Sequence, residues 1–272
     1  MLRSSLFKRL KGTKQNKQNE EKGTFDLKIN KNIDKNLKNV KQMLGDPGDL
    51  VVRELIIGGI ETRAAIVYIS GIVDEKLINN NILKTIQLNR KQYEKNLLDN
   101  IYKEVIAVTD VKKVSSMDET SFALLNGSTL FFLDGFHSVL LIGTTGGEQR
   151  AVEQPESEIL IRGPRDGFVE NIQTNMALIR RDIKDPNLRF KTHEVGKRSK
   201  QKLAVCYVEG IVNPAILDEV NRRLESIDID YVLDSAYVEQ WIEDSFLSPF
   251  PQILNTERPD KLSSDILQGR VG

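Results

Sequence analysis

The 272-residue sequence has very little of the chemistry on which enzymes and metal proteins most often depend. One cysteine cannot form an internal disulfide, and the two histidines, His137 and His193, lie far apart without neighbouring metal ligands. Cys206 lies within an apolar stretch and is interpreted as a buried core thiol. Glycine-rich phosphate loops and nucleophile elbows are also missing. We therefore expect no enzyme activity and no catalytic, cofactor or metal site.

Charge of one sign is not concentrated in the chain as a whole. The 39 acidic and 39 basic residues cancel, which removes the strongly cationic character that sequence-independent binding of nucleic acid requires. We expect no nucleic-acid partner. Apolar runs do not reach the roughly 18 residues of a membrane span, and the N-terminus lacks the apolar stretch of a signal peptide. The sequence as given is expected to be soluble.

The sequence does contain an internal repeat with a constant offset of 139 residues. The period is far longer than that of a solenoid, so it indicates two copies of one small domain. Chain length agrees, because one hydrophobic core rarely serves so many residues. The identical pairs are Asn32/Asn171, Ile33/Ile172, Asn36/Asn175, Asp46/Asp185, Pro47/Pro186, Ala65/Ala204, Tyr68/Tyr207, Gly71/Gly210, Ile72/Ile211 and Val73/Val212.

Each copy has the pattern of an α/β unit. A helix with one apolar stripe is followed by an Asp-Pro turn, an alternating strand and a nearly continuous apolar strand. We therefore predict an α/β fold of two tandem, structurally related subdomains, each a mixed sheet with packed helices. The segments are 33–44, 50–57 and 64–73 in the first copy, and 172–183, 188–195 and 203–212 in the second.

The second copy lacks an element that the first contains. In the first copy a helix at 117–126 leads into two apolar runs joined through Asp134-Gly135, which is a hairpin signal of the two-residue type. The equivalent helix at 259–268 is followed by only four residues. The repeat thus predicts that the second copy has lost a strand to truncation and that the sequence is a fragment of a longer protein.

The predicted domains are a basic disordered tail at 1–24, a first subdomain at 25–150, an inter-subdomain strap at 151–170 and a second subdomain at 171–272. Residues 1–22 hold seven Lys or Arg against two Glu, and a segment so poor in apolar residues cannot order itself. Leu2, Leu6 and Leu10 lie four apart among the cations, which leaves open a short amphipathic turn on an anionic surface.

Five charged residues are candidates for contacts between the subdomains or with a partner. Arginines on a strap can hold it in place through bidentate pairs with carboxylates, whereas an acidic residue in a first helical turn commonly complements the helix dipole. Arg162, Arg165 and Asp166 lie on the strap, and Arg258 and Asp260 lie at a helix start.

Three ordered segments resemble a known family, the A subunit of the GerA-type nutrient germinant receptors of spore-forming Bacilli and Clostridia. They are GPRDGFVENIQTNMALIRRDI at 163–183, NPAILDEVNRRLESI at 213–227, and ERPD at 257–260 leading to LQGRVG at the end of the sequence. The likeness covers residues 32–272. It implies a hydrophilic N-terminal domain that precedes a membrane domain, on the cytosolic side of the spore inner membrane.

The resemblance also implies partners and a role. The partners are the B and C receptor subunits, other A subunits, and the membrane through the missing C-terminal region. The expected role is subunit assembly and signal relay in nutrient-triggered germination, and the family supplies no catalytic residues to carry over. The alternative is a binding module that holds a small-molecule nutrient in the crevice between the two subdomains.

Overall fold

The computed structural model describes residues 28–57, 61–89, 96–147, 166–245 and 247–272. They form a first unit (28–147) and a second unit (166–272), which correspond to the two copies of the repeat. The predicted tail at 1–24 and most of the predicted strap lie outside the described residues. None of the helices within the described ranges is long and apolar enough to cross a bilayer.

The first unit combines an antiparallel five-stranded sheet with helices packed on it. The strand order is β1-β2-β4-β5-β3, and every neighbouring pair is antiparallel. Its elements are α1 (Ile33–Leu44), β1 (Leu50–Ile57), β2 (Thr62–Ile69), α2 (Glu75–Leu77), a π-helical segment (Ile78–Leu83), α3 (Lys84–Leu88), α4 (Leu97–Asn100), a second π-helical segment (Ile101–Val105), β3 (Val111–Val114), α5 (Met117–Leu125), β4 (Ser128–Leu133) and β5 (Val139–Gly143).

The second unit repeats the first part of this arrangement. Its two strands pair antiparallel, and Gly272 exchanges two backbone hydrogen bonds with Cys206 at 2.8 and 2.9 Å. In the first unit Leu130 of β4 pairs with Val67, the counterpart of Cys206, so Gly272 occupies the position of a β4 residue. The elements are α6 (Ile172–Asp182), β6 (Leu188–Val195), β7 (Gln201–Val208), α7 (Pro214–Glu225), α8 (Ser235–Ile242) and α9 (Pro259–Leu267).

The predicted α/β class is confirmed, whereas the prediction of mixed sheets is wrong because every strand pair in the described residues is antiparallel. Only residues 58–61 lie between β1 and β2, too few for the crossover that a parallel pair needs. The continuous apolar character of β2 has another cause. Ala64 to Val67 are all buried, so both faces of this strand are covered.

The hairpin around Asp134-Gly135 forms, but its connection is longer than predicted. Residues 134–138 join β4 to β5. Asp134 accepts a hydrogen bond from the backbone N–H of Ile33 at 3.0 Å, and the N–H of Gly135 donates to the carbonyl of Lys31 at 2.8 Å. The loop therefore satisfies one backbone donor at the start of α1 and one carbonyl acceptor just before it, instead of making the tightest possible turn.

A repeated asparagine holds the entry to the first helix of each unit. The side chain of Asn36 donates to the carbonyl of Asn30 at 2.7 Å and accepts from its N–H at 2.8 Å. Asn175 makes the same two bonds with Val169, at 2.6 and 2.8 Å. These identical residues of the repeat therefore serve the scaffold.

Cys206 is buried and free, as predicted. Burial raises the pKa of its thiol to about 12, and the thiolate is the reactive form.

We predict that iodoacetamide at pH 8 alkylates Cys206 only in denaturant, as mass spectrometry would record. A Leu88→Cys variant, with its thiol at an exposed site, is the control and should react in the native state. Rapid alkylation of native Cys206 would contradict its burial.

Candidate functional site

Helix α6 lies at the junction of the two units and contributes to both hydrophobic cores. Met176, Ile179 and Ile183 pack in a core of the second unit, whereas Ala177 belongs to the core of the first. The helical period places positions 176, 179 and 183 on one face and position 177 beside it. One helix therefore connects the packing of the two units.

Arg180 of α6 and Asp49 of the first unit form a buried, bidentate ion pair. The Nε–Oδ2 distance is 2.8 Å and the Nη2–Oδ1 distance is 3.2 Å, and the side chains are 0% and 2% exposed. Nη1 of Arg180 donates to the carbonyl of Leu188 at 3.3 Å, and the guanidinium lies 4.9 Å from the ring centre of Phe190. A buried charge without a partner is strongly destabilising, so each unit needs the other here.

Three further cations of the second unit donate to oxygen atoms of the first. Together with Arg180 they form what we call the cationic row (Arg180, Arg181, Lys184 and Arg189). Its other bonds run from Arg181 Nη2 to the carbonyls of Gly71 (3.4 Å) and Gly146 (3.3 Å), from Lys184 Nζ to Asn126 Oδ1 (2.9 Å), and from Arg189 Nη1 to the carbonyl of Leu44 (2.9 Å). The junction is therefore held by polar contacts around a small apolar one.

Gly71 lies where the chain leaves β2 and meets α6. Its φ is +85°, and a Cβ at this position would lie 2.8 Å from the Cβ of Ala177. The absence of a side chain at this position therefore permits the close approach of α6. Its counterpart Gly210 has a φ of +83°, yet a Cβ there would meet no described atom within 4 Å. The glycine with positive φ that follows the second strand of each unit is thus packed against α6 in the first unit and free of such packing in the second.

The second unit exposes apolar side chains around Gly210. Ile211 is 50% exposed, whereas its counterpart Ile72 is 4% exposed; Leu267 is 49% exposed, whereas Leu125 at the same place in α5 is 3% exposed. Ile211 and the end of α9 are neighbours, since a Cβ at Gly269 would lie 2.9 Å from the carbonyl oxygen of Ile211. We call Gly210, Ile211, Ile216 and Leu267 the open face.

A cleft of about 640 Å³ lies between the units beside α6. It carries the carboxylates of Asp74 and Glu75 and the cations of Lys76 and Arg181, so it offers charges of both signs to a ligand. Its walls are formed by Ser70, Gly71, Val73, Asp74, Glu75, Lys76, Asn79, Gly146 and Gly147 of the first unit and by Asn171, Gln173, Thr174, Ala177 and Arg181 of the second.

The polar groups of this cleft are partly engaged already. Oδ1 of Asp74 accepts from the N–H of Leu77 at 3.0 Å, and Glu75 accepts from the hydroxyl of Ser70 at 2.8 Å. Within the described residues, the hydrogen bonds of the Arg181 side chain involve Nη2 alone. A small molecule that carries both an ammonium and a carboxylate group would therefore find complementary charges here.

The residues predicted from the sequence as contacts are only partly described. Arg162 and Arg165 lie outside the described residues. Arg258 and Asp260 pair with each other, with an Nε–Oδ1 distance of 3.1 Å. The segment that begins at Asp166 contacts the residues just before α9, because the backbone N–H of Phe168 donates to the carbonyl of Glu257 at 2.8 Å. A role of these residues in contacts between the subdomains or with a partner stays a prediction.

Asp166 and Asp260 have an electrostatic effect on a third carboxylate. Partial burial raises the pKa of Asp182, near the end of α6, and the neighbouring charges of Asp260 and Asp166 raise it further. A hydrogen bond from the Ser263 hydroxyl, at 3.1 Å, acts in the opposite direction. The start of α9 is thereby linked to the helix that carries Arg180.

Sequence reasoning missed Asp49 and the cationic row. The alignment of the two copies contained a signal for Asp49, because the equivalent position in the second copy is the apolar Leu188. Arg180 likewise replaces Lys41, whose ion pair with Asp46 is exposed at 3.6 Å. Charged residues at positions where two copies of a scaffold differ are candidates for contacts between those copies.

Each histidine ring lies within hydrogen-bonding distance of an oxygen atom in its own unit. His193 Nε2 lies 3.0 Å from the side-chain oxygen of Asn221, and His137 Nδ1 lies 3.2 Å from the carbonyl of Ile29. In the part of the chain that the structure describes, no group of three His, Cys, Asp or Glu side chains is placed to hold a metal ion.

Comparison with known proteins decides the family. The profile described as "GerA: Bacillus/Clostridium GerA spore germination protein" matches residues 38–272. The chain belongs to the GerA family. Spore germination protein GerLA of Bacillus cereus is 37% identical over 245 residues, which are 90% of this chain and 50% of that protein. Spore germination protein KA of Bacillus subtilis (strain 168) is 36% identical over 243 residues, 89% of this chain and 45% of that protein.

A solved structure extends the GerA assignment to the fold. The crystal structure of the N-terminal domain of the A subunit of the Bacillus megaterium spore germinant receptor GerK3 matches with a TM-score of 0.70 and 32% identity, covering 90% of this chain and 91% of that chain. The resemblance expected from the sequence is confirmed. The chain spans about half the length of the curated relatives it matches.

Loss of one member of the Asp49–Arg180 pair should be severe. We predict that Arg180→Met or Asp49→Leu alone lowers the free energy of unfolding by about 3–5 kcal/mol, because the remaining charge stays buried without a partner. The double variant leaves no buried charge and should lose less than the sum of the two. Urea unfolding of the three variants measures these differences.

The matched control is an exposed pair in the first unit. Arg63 lies 2.7 Å from Asp34 and 2.8 Å from Glu54, and all three side chains are about half exposed. Arg63→Met should cost at most about 1 kcal/mol. If Arg180→Met cost no more than Arg63→Met, the central position of the buried pair would be refuted.

Proposed function

We propose that this chain is the assembly and relay domain at the N-terminus of a germinant receptor A subunit. In this proposal it lies on the cytosolic side of the spore inner membrane and acts with B and C subunits in nutrient-triggered germination. Membership of the GerA family and the likeness to the N-terminal domain of the GerK3 A subunit support the role in germination. The arguments for assembly and relay come from the geometry of the two units.

The open face is the observation that carries the proposal of assembly. Ile72 and Leu125 are buried in the first unit, where residues 144–146 and α6 lie close to the end of β2. Their counterparts Ile211 and Leu267 are half exposed. Apolar side chains grouped on a surface are typical of contact sites. We assign the open face to a contact within the receptor.

The proposal of signal relay rests on the contacts that connect the open face to α6. Leu267 belongs to α9, and Ser263 of the same helix donates to Asp182 of α6 at 3.1 Å. Two residues before Asp182, Arg180 enters the buried pair with Asp49. Movement of α9 on binding a partner would therefore act on the helix that joins both cores. This chain of contacts is the proposed route between a subunit contact and the junction of the units.

The assembly proposal predicts a specific defect for Leu267→Glu. Because Leu267 is already half exposed, the isolated fragment should keep its melting temperature. In the full-length receptor, a charge on a buried contact should lower both recovery of the other subunits and the rate of nutrient-triggered germination, by about tenfold or more. Co-purification from spores and germination assays measure the two effects.

Leu88→Glu is the control, since it makes the same change at an exposed site of the first unit. Normal assembly and germination are expected for this variant. If Leu267→Glu behaved like Leu88→Glu in both assays, the open face would have no part in assembly.

The second candidate function is nutrient binding in the cleft. The specific observation in its favour is a volume of about 640 Å³ lined by charges of both signs. Such a site would suit a small zwitterion, with its carboxylate toward Arg181 and its ammonium toward Asp74 or Glu75. Binding there would contact α6 and the segment after β2 at once, and would thereby bias the junction.

A thermal-shift panel of amino acids, sugars, nucleosides and inorganic ions tests this candidate. A ligand present at a hundred times its dissociation constant should stabilise the fragment by about 2.7 kcal/mol, and Arg181→Gln should abolish the shift. Arg270→Gln, a change far from the cleft residues in sequence and outside its lining, should retain it. No shift across the panel would favour assembly and relay alone.

A further inference from the structure

Helix α8 and the segments on either side of it expose several large apolar side chains. Seven large side chains of this segment are between 43% and 79% exposed. Tyr237 and Trp241 lie four apart on α8 and so share one face of the helix. We call these side chains the aromatic surface; they are Tyr231, Leu233, Tyr237, Trp241, Leu247, Phe250 and Leu254.

The loop after α8, which carries three of these seven side chains, is folded back on itself and on α8. Asn255 donates to Glu239 of α8 at 3.3 Å. Gln252 accepts from the N–H of Asp244 at 3.1 Å and donates to the carbonyl of Ser245 at 2.7 Å. Helix and loop therefore present their exposed side chains from one folded segment.

The segment that carries this surface has ionisable side chains of one sign only. Residues 224–257 contain eight Asp or Glu and no Lys or Arg. Four of these eight carboxylates pair with cations from outside the segment, namely Glu225, Asp228, Asp230 and Asp244. Glu239 and Glu243, two residues before and two residues after Trp241 in the sequence, form no ion pair within the described residues. An anionic lipid surface or a nucleic acid would be repelled here, whereas a cationic segment with apolar side chains would be attracted.

The chain itself contains a segment of that composition. Residues 1–22 hold seven Lys or Arg against two Glu, and Leu2, Leu6 and Leu10 lie among the cations. The described residues begin at Lys28. From Leu10 to Lys28 an extended chain reaches about 60 Å, whereas a globule of this size is about 50 Å across. The N-terminal segment is therefore long enough to reach most of the surface of its own chain.

We propose that the N-terminal segment, residues 1–22, docks on the aromatic surface of the same chain. The leucines cover the aromatic side chains, and the cations face Glu239, Glu243 and the neighbouring carboxylates. A tether of this length gives an effective concentration on the order of millimolar, so weak contacts suffice for a docked state that exchanges with a free one. Such a contact hides the aromatic surface and the basic segment from other partners.

Trp241 reports on this contact because it is the only tryptophan of the chain and lies within the aromatic surface. We compare acrylamide quenching of its fluorescence in the 272-residue chain and in a chain without residues 1–22. Removal of the segment should raise the quenching constant about twofold at low salt, if the segment is docked about half of the time. At about 0.5 M salt, where charges are screened within a few ångströms, the two chains should become equal.

Matched variants locate the contact. Glu239→Gln together with Glu243→Gln should abolish the difference between the long and short chains. Asp118→Asn together with Glu119→Gln, the same change of charge on exposed residues of α5, should preserve it. The circular dichroism of all variants is compared to confirm equal folding.

Several outcomes would overturn the proposal. Equal quenching of the long and short chains at low salt would show that the segment does not cover Trp241. Protection that rises with protein concentration would place the segment on a second copy instead. Binding of the segment to vesicles with anionic lipid, with quenching of Trp241 unchanged by its removal, would assign it to a membrane surface.

Discussion

The buried ion pair between Asp49 and Arg180 is the contact on which the arrangement of the two units depends. A carboxylate and a guanidinium withdrawn from water must face each other, because a buried charge that loses its partner strongly destabilises the fold. Because they come from different units, separating the units would leave two buried charges unpaired or force them into water. The rest of the cationic row surrounds this pair with further hydrogen bonds, and Ala177 adds the apolar contact at its edge.

The two units share a scaffold, and their contact breaks the symmetry of that scaffold. Asn36 and Asn175 hold their helices in the same way. In contrast, Leu188 and Lys41, the counterparts of Asp49 and Arg180 in the repeat, form no such buried pair. The first unit buries the end of its β2 strand against α6 and against its own residues 144–146, whereas the described residues of the second unit leave the equivalent end open. This asymmetry is the physical basis for assigning assembly to the open face and relay to α6.

Much of the local structure was predictable because it depends on neighbouring residues. The alternating segments at 50–57 and 188–195 became β1 and β6 with those bounds, and the helices before Gly127 and Gly269 end there with a positive φ. Strand direction was not predictable from the apolar pattern, since any strand covered on both faces reads as a continuous apolar run. The contacts of the cationic row were missed because their acceptors are mostly backbone carbonyls distant in sequence.

The sequence by itself determined the repeat, the helices and strands within it, the burial of Cys206 and the likeness to germinant receptor A subunits. These features follow from hydrophobic periodicity and helix capping, which depend on a few neighbouring residues, and from sequence segments that recur in a fixed order. Only the tertiary structure decided that the sheets are antiparallel, that α6 serves two cores, and that Arg180 meets Asp49. The reason is that a charge pair between distant residues leaves no period in the sequence, and its partner is known only when the chain has folded.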